Sequence, residues 1–118
     1  EKTEKWLQAW TQLLTLRLSL ADFIKSFSDQ PVDESLRLIA LWLQDFIRSA
    51  YIKGPGEYRL MSEKQRALFQ YTGEVSALYT LLDSVNQARA ELNIISGLNG
   101  QLILETLLID ALRLLHQS

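Results

Sequence analysis

Leucine dominates this sequence and recurs at the spacing of an amphipathic helix. It fills 24 of the 118 positions, whereas the residues that most disfavour helices are scarce, with five glycines and two prolines. Near the start, Trp10 follows Trp6 by four positions, and Leu13 and Leu14 follow Trp10 by three and four. That spacing places all four side chains on one face of a helix. The pattern predicts an all-α fold.

The remaining apolar series and the breaks between them predict six helices in all, the fourth of them short. They cover residues 4–17, 20–28, 34–52, 63–71, 74–95 and 100–116. The length suits one domain, and no repeat or internal boundary is visible. We therefore expect residues 1–118 to form a single compact domain of five or six helices that ends in an antiparallel helix hairpin. Because the chain begins with Glu1 rather than Met, we expect it to be the C-terminal part of a longer protein.

Capping residues mark several of these helix ends. The hydroxyl of Ser62 is suited to accept a hydrogen bond from an otherwise unpaired backbone N–H, with Gln65 reaching back as in a capping box. Gly97 suits the left-handed position that closes a helix. Side chains that commonly cap a helix N-terminus precede five of the predicted helices, and the predicted N-caps are Ser19, Asp33, Ser62, Thr72 and Asn99.

Two helices have more apolar positions than one face can hold. Leu38, Leu41 and Trp42 lie off the main stripe of the helix over 34–52, which predicts that this helix is covered on two sides. The last helix is apolar almost all round, so it is either the central helix of the core or the carrier of a partner-facing patch. The candidate interface residues on the last two helices are Leu81, Ile103, Leu107 and Leu114.

Two charges interrupt the apolar series of the last two helices. Arg89 continues the series 75, 78, 82, 85 and 92, and Glu105 continues the series 108, 112 and 115. At 1.5 Å per residue, Arg89 lies about 13 Å before the turn and Glu105 about 11 Å after it. The two side chains would stand nearly level, which predicts a structural ion pair between Arg89 and Glu105. The alternative is that Arg89 extends into solvent and Glu105 lies at a hydrated rim.

Signatures of catalysis are absent from the sequence. Without cysteine, neither a thiolate metal site nor a cysteine nucleophile is available, and one histidine, His116 near the end, cannot build a multi-histidine metal site. No glycine-rich phosphate loop, metalloprotease motif or nucleophile-elbow motif occurs. Asp33 and Glu34 open a helix, where they complement its dipole. We therefore expect no catalytic residue, no cofactor and no metal in this chain.

The charge balance argues against a nucleic acid or membrane partner. The formal net charge is −2, with eight basic and eight acidic residues in 1–60 and four basic and six acidic in 61–118. A phosphate-binding surface needs a basic excess, and no apolar run reaches the length of a membrane span. The leucine spacing around Trp6, Trp10 and Trp42 fits core or interface residues better than a base-stacking platform. We expect no direct DNA binding by this chain and no membrane contact.

The end of the sequence resembles a family of replication proteins. An Ala88-Arg89 pair on one helix is followed by a turn with Gly97, then by Asn99, Leu102, Leu104, Glu105, Leu107 and Leu108. This pattern is similar to the end of the delta-prime subunits of the bacterial DNA polymerase III clamp loader. The upstream order, a long helix over Leu36–Ile52, a loop and a short helix over Ser62–Thr72, agrees with that family. The resemblance covers about residues 20–115.

The resemblance implies a role in assembly. In that family the C-terminal helical domain is one segment of a collar built from five subunits, which holds ATPase-type modules in a ring that loads the sliding clamp on primed DNA. The partners would be the helical collar domains of the other clamp-loader subunits, in the bacterial cytoplasm. Nucleotide-fold modules and a zinc-binding module would precede Glu1. None of the matched positions is catalytic in the family.

Other functions stay open at this point. The related delta and gamma/tau subunits also end in helical domains. A helical adaptor domain with a partner unrelated to replication would show the same excess of apolar helix surface. A helix-turn-helix DNA reader around 63–95 is disfavoured, because its recognition helix would begin with Glu74 and lacks a cluster of base-reading side chains.

Overall fold

The helical spacing of the sequence is realised as helices in the computed structural model, which describes residues 2–51, 74–94 and 100–116. These ranges contain no strand, so the all-α prediction is confirmed. The helices are α1 (Lys2–Leu14), α2 (Leu20–Ser26), α3 (Val32–Tyr51), α4 (Val75–Ile94) and α5 (Gly100–Leu115). The helix predicted over 63–71 and the capping residues Ser62, Thr72, Gly97 and Asn99 lie outside the described residues.

The first helix ends three residues earlier than predicted. Leu16 adopts a left-handed backbone with φ 63°, and two hydrogen bonds close the helix around it. The N–H of Leu16 donates to the carbonyl of Leu13 at 3.1 Å, and the N–H of Arg17 donates to that of Gln12 at 2.8 Å. This is the Schellman arrangement, in which glycine is the usual left-handed residue. The leucine side chain there is 72% exposed.

The predicted N-cap of α2 is confirmed, and the predicted N-cap of α3 is wrong. The Ser19 hydroxyl accepts from the N–H of Asp22 at 3.1 Å, as predicted. Asp33 does not cap α3, because the carbonyl of Pro31 already accepts from the N–H groups of Glu34 and Ser35 at 3.0 and 3.3 Å. Asp33 therefore lies inside the first turn of α3, where its charge complements the positive end of the helix dipole.

Helix α3 is the central element of the described fold. One of its sides joins an aromatic cluster with α1 and α2, in which Trp42 meets Trp10 edge-on with ring centroids 5.6 Å apart. Its other contacts are with α4, the most extensive helix pair, and with α5. The prediction that this helix is covered on two sides is confirmed by its buried side chains, which include Leu36, Leu38, Ile39, Trp42, Leu43, Phe46 and Ile47.

Gly100 begins α5 at a junction of three helices. A Cβ atom built on Gly100 would lie 3.5 Å from Leu92 Cδ2 on α4 and 3.5 Å from Val32 Cγ2 on α3. These are ordinary van der Waals separations. The first turn of α5 thus rests on the start of α3 and the last turns of α4, which holds α4 and α5 side by side as a hairpin.

Candidate functional site

The outer face of α5, defined here as Leu102 and Ile109, carries two exposed apolar side chains. They are 58% and 44% exposed, and their separation of seven positions equals about two helical turns, or roughly 10 Å. They lie opposite the buried stripe of the same helix, formed by Leu104, Leu108, Ala111 and Leu115. Apolar side chains repeated on one exposed helix face are typical of an interaction surface.

A groove of about 350 Å³ runs beside this face, between α4 and α5. On α4 this α4/α5 groove is lined by Ser84, Gln87, Ala88 and Glu91. On α5 it is lined by Leu102, Ile103, Thr106, Leu107 and Asp110. The apolar floor and the two carboxylates at its sides give a surface that fits apolar and basic groups, and no basic residue is among these lining positions.

The structure corrects the predicted interface residues. Leu81 is 1% exposed and Leu107 is 6% exposed, so both belong to the core of the isolated chain. Ile103 and Leu114 are half-buried against that core. The side chains that do reach solvent, those of the outer face of α5, were not selected from the sequence. The signal for them was present, because both positions lie opposite the 104, 108, 111, 115 stripe.

The charge at Arg89 is paired with a different helix from the one predicted. Its Nε donates to Oδ1 of Asp33 on α3 at 3.3 Å, and the two side chains are 34% and 54% exposed. Among the described residues this is the ion pair that Arg89 forms, and Glu105 lies half-buried elsewhere on α5. The predicted Arg89–Glu105 pair is therefore wrong. The ion pair instead links α4 to the first turn of α3.

Arg89 and Glu105 do lie at similar heights along the α4–α5 hairpin, but their side chains point in different directions. Ala88 lines the groove opposite Ile103 and Leu107, as expected from the similar distances of Arg89 and Glu105 from the turn. Glu105 is two positions from each of those α5 residues, which turns it about 160° away from both. Arg89 is one position beyond Ala88 and so points about 100° away, toward α3.

A small contribution to stability is expected from the Arg89–Asp33 pair, because exposed ion pairs contribute about 0.2–1 kcal/mol. Urea unfolding of Arg89→Ala, Asp33→Ala and the double variant should give a coupling energy in that range, and the coupling should fall as salt is raised. The matched control is Glu105→Ala, combined with Arg89→Ala. A larger coupling in the control cycle would favour the Arg89–Glu105 pair instead.

A second cleft lies beside the first turns of α3. It encloses about 470 Å³ between the start of α1 and the turn from α2 to α3, with Phe27 and Leu38 beside Lys5, Asp29 and Glu34. Its charges are of both signs, so it shows no preference for an anion or a cation.

One exposed ion pair borders this cleft. The Arg37 guanidinium donates hydrogen bonds to Glu34 one turn away. This hydrogen bond, together with the charge of Glu34, raises the pKa of Arg37 above its usual value. Both side chains are exposed, and Arg37 stays charged throughout the physiological range. The pair is therefore a surface ion pair.

Neither a metal-binding cluster nor a membrane span occurs in the described parts of the chain. No three side chains of His, Cys, Asp or Glu come together there in a way that would hold a metal ion. None of the five helices combines the length and apolar character needed to cross a bilayer.

Comparison with known proteins places nearly the whole chain in one family. The sequence model of the family described as DNA polymerase III, delta subunit, C terminal, matches residues 1–112. No curated protein and no solved structure matches the chain.

Proposed function

Because this chain belongs to the family formed by the C-terminal domains of DNA polymerase III delta subunits, we propose that it is the collar domain of a clamp loader protein. Its task in this proposal is to associate with the helical domains of neighbouring subunits, and it performs no chemistry itself. The ATP-driven loading of the sliding clamp would belong to the whole complex in the bacterial cytoplasm. The observation that carries the proposal is the exposed apolar outer face of α5 in a chain of this family.

The energy for association would come from burying apolar surface. Removing a leucine or isoleucine side chain completely from water contributes about 1.5–3 kcal/mol. Leu102 and Ile109 are about half exposed in the isolated chain, so each would contribute part of that amount when a neighbour covers it. Two such side chains next to a groove form a small apolar patch of the kind found in the buried core of protein interfaces.

The test is co-purification of the full-length protein with the other clamp-loader subunits. Leu102→Glu and Ile109→Glu should each weaken association at least tenfold and leave the circular dichroism spectrum unchanged, because both side chains already face water. The matched control is Leu16→Glu, the same change at an exposed leucine on the α1–α2 turn. Failure of the wild-type protein to associate would refute the collar role, and association that survives both α5 variants would exclude this face.

Within this proposal the subunit is delta-prime. The support is the resemblance over the last two helices, with Ala88-Arg89 before the turn and the Asn99, Leu102, Leu104, Glu105 series after it. A reconstitution tests the assignment. The full-length protein should restore a clamp loader that lacks only delta-prime, and should fail to restore one that lacks only delta. The reverse result would assign the chain to delta.

A further inference from the structure

We infer that the α4/α5 groove receives an α-helix of the neighbouring subunit that presents aliphatic side chains flanked by lysine or arginine. This inference rests on the proposed collar function and adds the place of docking and the chemistry of the partner. Three features of the groove support it: its apolar floor, the spacing of its rim, and the sign of its charges.

The floor of the groove is apolar and shallow enough for side chains to enter from outside. Ala88 on α4 and Leu107 on α5 are 7% and 6% exposed, and Ile103 is half-buried between them and solvent. The small Ala88 side chain leaves room above the floor. The groove volume of about 350 Å³ extends along the two helices of the hairpin and suits a row of aliphatic side chains from an elongated partner.

The spacing along the rim matches the repeat of a helix. Leu102, Thr106 and Asp110 line the groove on α5 at intervals of four positions. These positions cover about two turns, which is the distance between the first and last anchors of a helix that docks through positions i, i+3 or i+4, and i+7. The aliphatic side chains at these positions of a partner helix lying along α5 would contact the floor of the groove. The side of that helix would cover Leu102.

The negative charges beside the groove favour a partner helix with lysine or arginine on either side of its aliphatic residues. Glu91 and Asp110 are the charged residues of the lining, and both are exposed. Neither forms an ion pair with another described side chain, that is, within 3–48, 74–92 or 100–116. Glu91 also lies in the last turn of α4, which holds no basic residue, at the negative end of the helix dipole. Its charge is unfavourable there in the isolated chain, and a partner cation would offset it.

The decisive experiment uses the full-length protein in the reconstituted complex. The double variant Glu91→Lys with Asp110→Lys should weaken association with the neighbouring subunit at least tenfold. It should also remove the part of the wild-type salt dependence that comes from these carboxylates. The matched control is Asp83→Lys, the same charge reversal at an exposed position of α4 outside the groove, and it should associate as the wild type does.

Photo-crosslinking identifies the occupant. p-Benzoylphenylalanine in place of Gln87, inside the groove, should crosslink to a helical segment of another clamp loader protein in which lysine or arginine flanks aliphatic residues. The same probe in place of Tyr79, exposed on α4 outside the groove, should not reach that segment. Crosslinks from Gln87 to an acidic or non-helical segment, or their absence in an intact complex, would overturn the inference.

The outcomes separate the two proposals. A wild-type protein that joins none of the clamp-loader subunits would refute both the collar role and the groove. A wild-type protein that assembles, together with a double variant that assembles equally well, would leave the collar role standing and remove the groove from it.

Discussion

Replacing Leu81 with glutamate should unfold the domain, although the same replacement at Leu102 should leave it folded. Leu81 is 1% exposed, whereas Leu102 is 58% exposed. At position 81 the change forfeits about 1.5–3 kcal/mol of apolar burial and adds a buried carboxylate without a partner, which costs several kcal/mol more. Together these losses approach the whole stability of an ordinary domain, about 5–15 kcal/mol. Far-UV circular dichroism and urea unfolding measure the difference.

Leu102→Glu serves as the matched control, because it makes the same chemical change on the other helix of the hairpin. Its urea midpoint should stay close to that of the wild type, since surface substitutions usually change stability by no more than about 0.5 kcal/mol. A Leu81→Glu variant that unfolds at the wild-type urea concentration would show that Leu81 faces outward. That result would make Leu81 a candidate interface residue again.

Truncating Trp10 to alanine should lower the free energy of unfolding by about 3–5 kcal/mol, the usual loss for a large aromatic residue in a core. Trp10 is fully buried and is the hub of the aromatic cluster. Its ring centroid lies 5.4 Å from that of Trp6, 6.1 Å from Phe23 and 5.6 Å from Trp42. Removing it opens a cavity between α1, α2 and α3. Urea unfolding followed by circular dichroism gives the loss.

Two variants sharpen this prediction. Trp10→Phe should cost much less than Trp10→Ala, because it keeps an aromatic ring and removes an indole N–H that is buried without an acceptor among the described residues. Tyr79→Ala truncates an aromatic residue that is 50% exposed and should cost under about 1 kcal/mol. Equal losses for Trp10→Ala and Tyr79→Ala would contradict the assignment of Trp10 to the core.

Local signals in the sequence predicted the helices well, because each depends on neighbours in the chain. The Ser19 cap and the start of the last helix at residue 100 are examples. The end of α1 was missed because Leu16 takes a backbone conformation that sequence reasoning reserves for glycine. The start of α3 was placed at Asp33 because an aspartate is a better N-cap than a proline, yet the carbonyl of Pro31 accepts the first hydrogen bonds.

The candidate site was predicted only in outline, because the exposure of a helix face depends on which neighbours cover it. An apolar surface contributed by both of the last two helices was expected, whereas the exposed side chains of Leu102 and Ile109 lie on the last helix alone. The choice of Leu81 failed because α3 and α5 both pack against α4. The pairing of Arg89 failed because α3 supplied Asp33. The DNA polymerase III part of the resemblance is confirmed by the family match, and delta-prime stays a prediction.

The aromatic cluster gives this chain an optical signal that is confined to its core. All three tryptophans of the sequence, Trp6, Trp10 and Trp42, are buried in it, and none of them lines the α4/α5 groove. The emission of their indoles responds to the polarity around them, so unfolding shifts it and a helix settling into the groove leaves it unchanged. With a partner that contains no tryptophan, intrinsic fluorescence therefore measures stability without interference from docking, and docking is best followed by a dye attached beside Leu102.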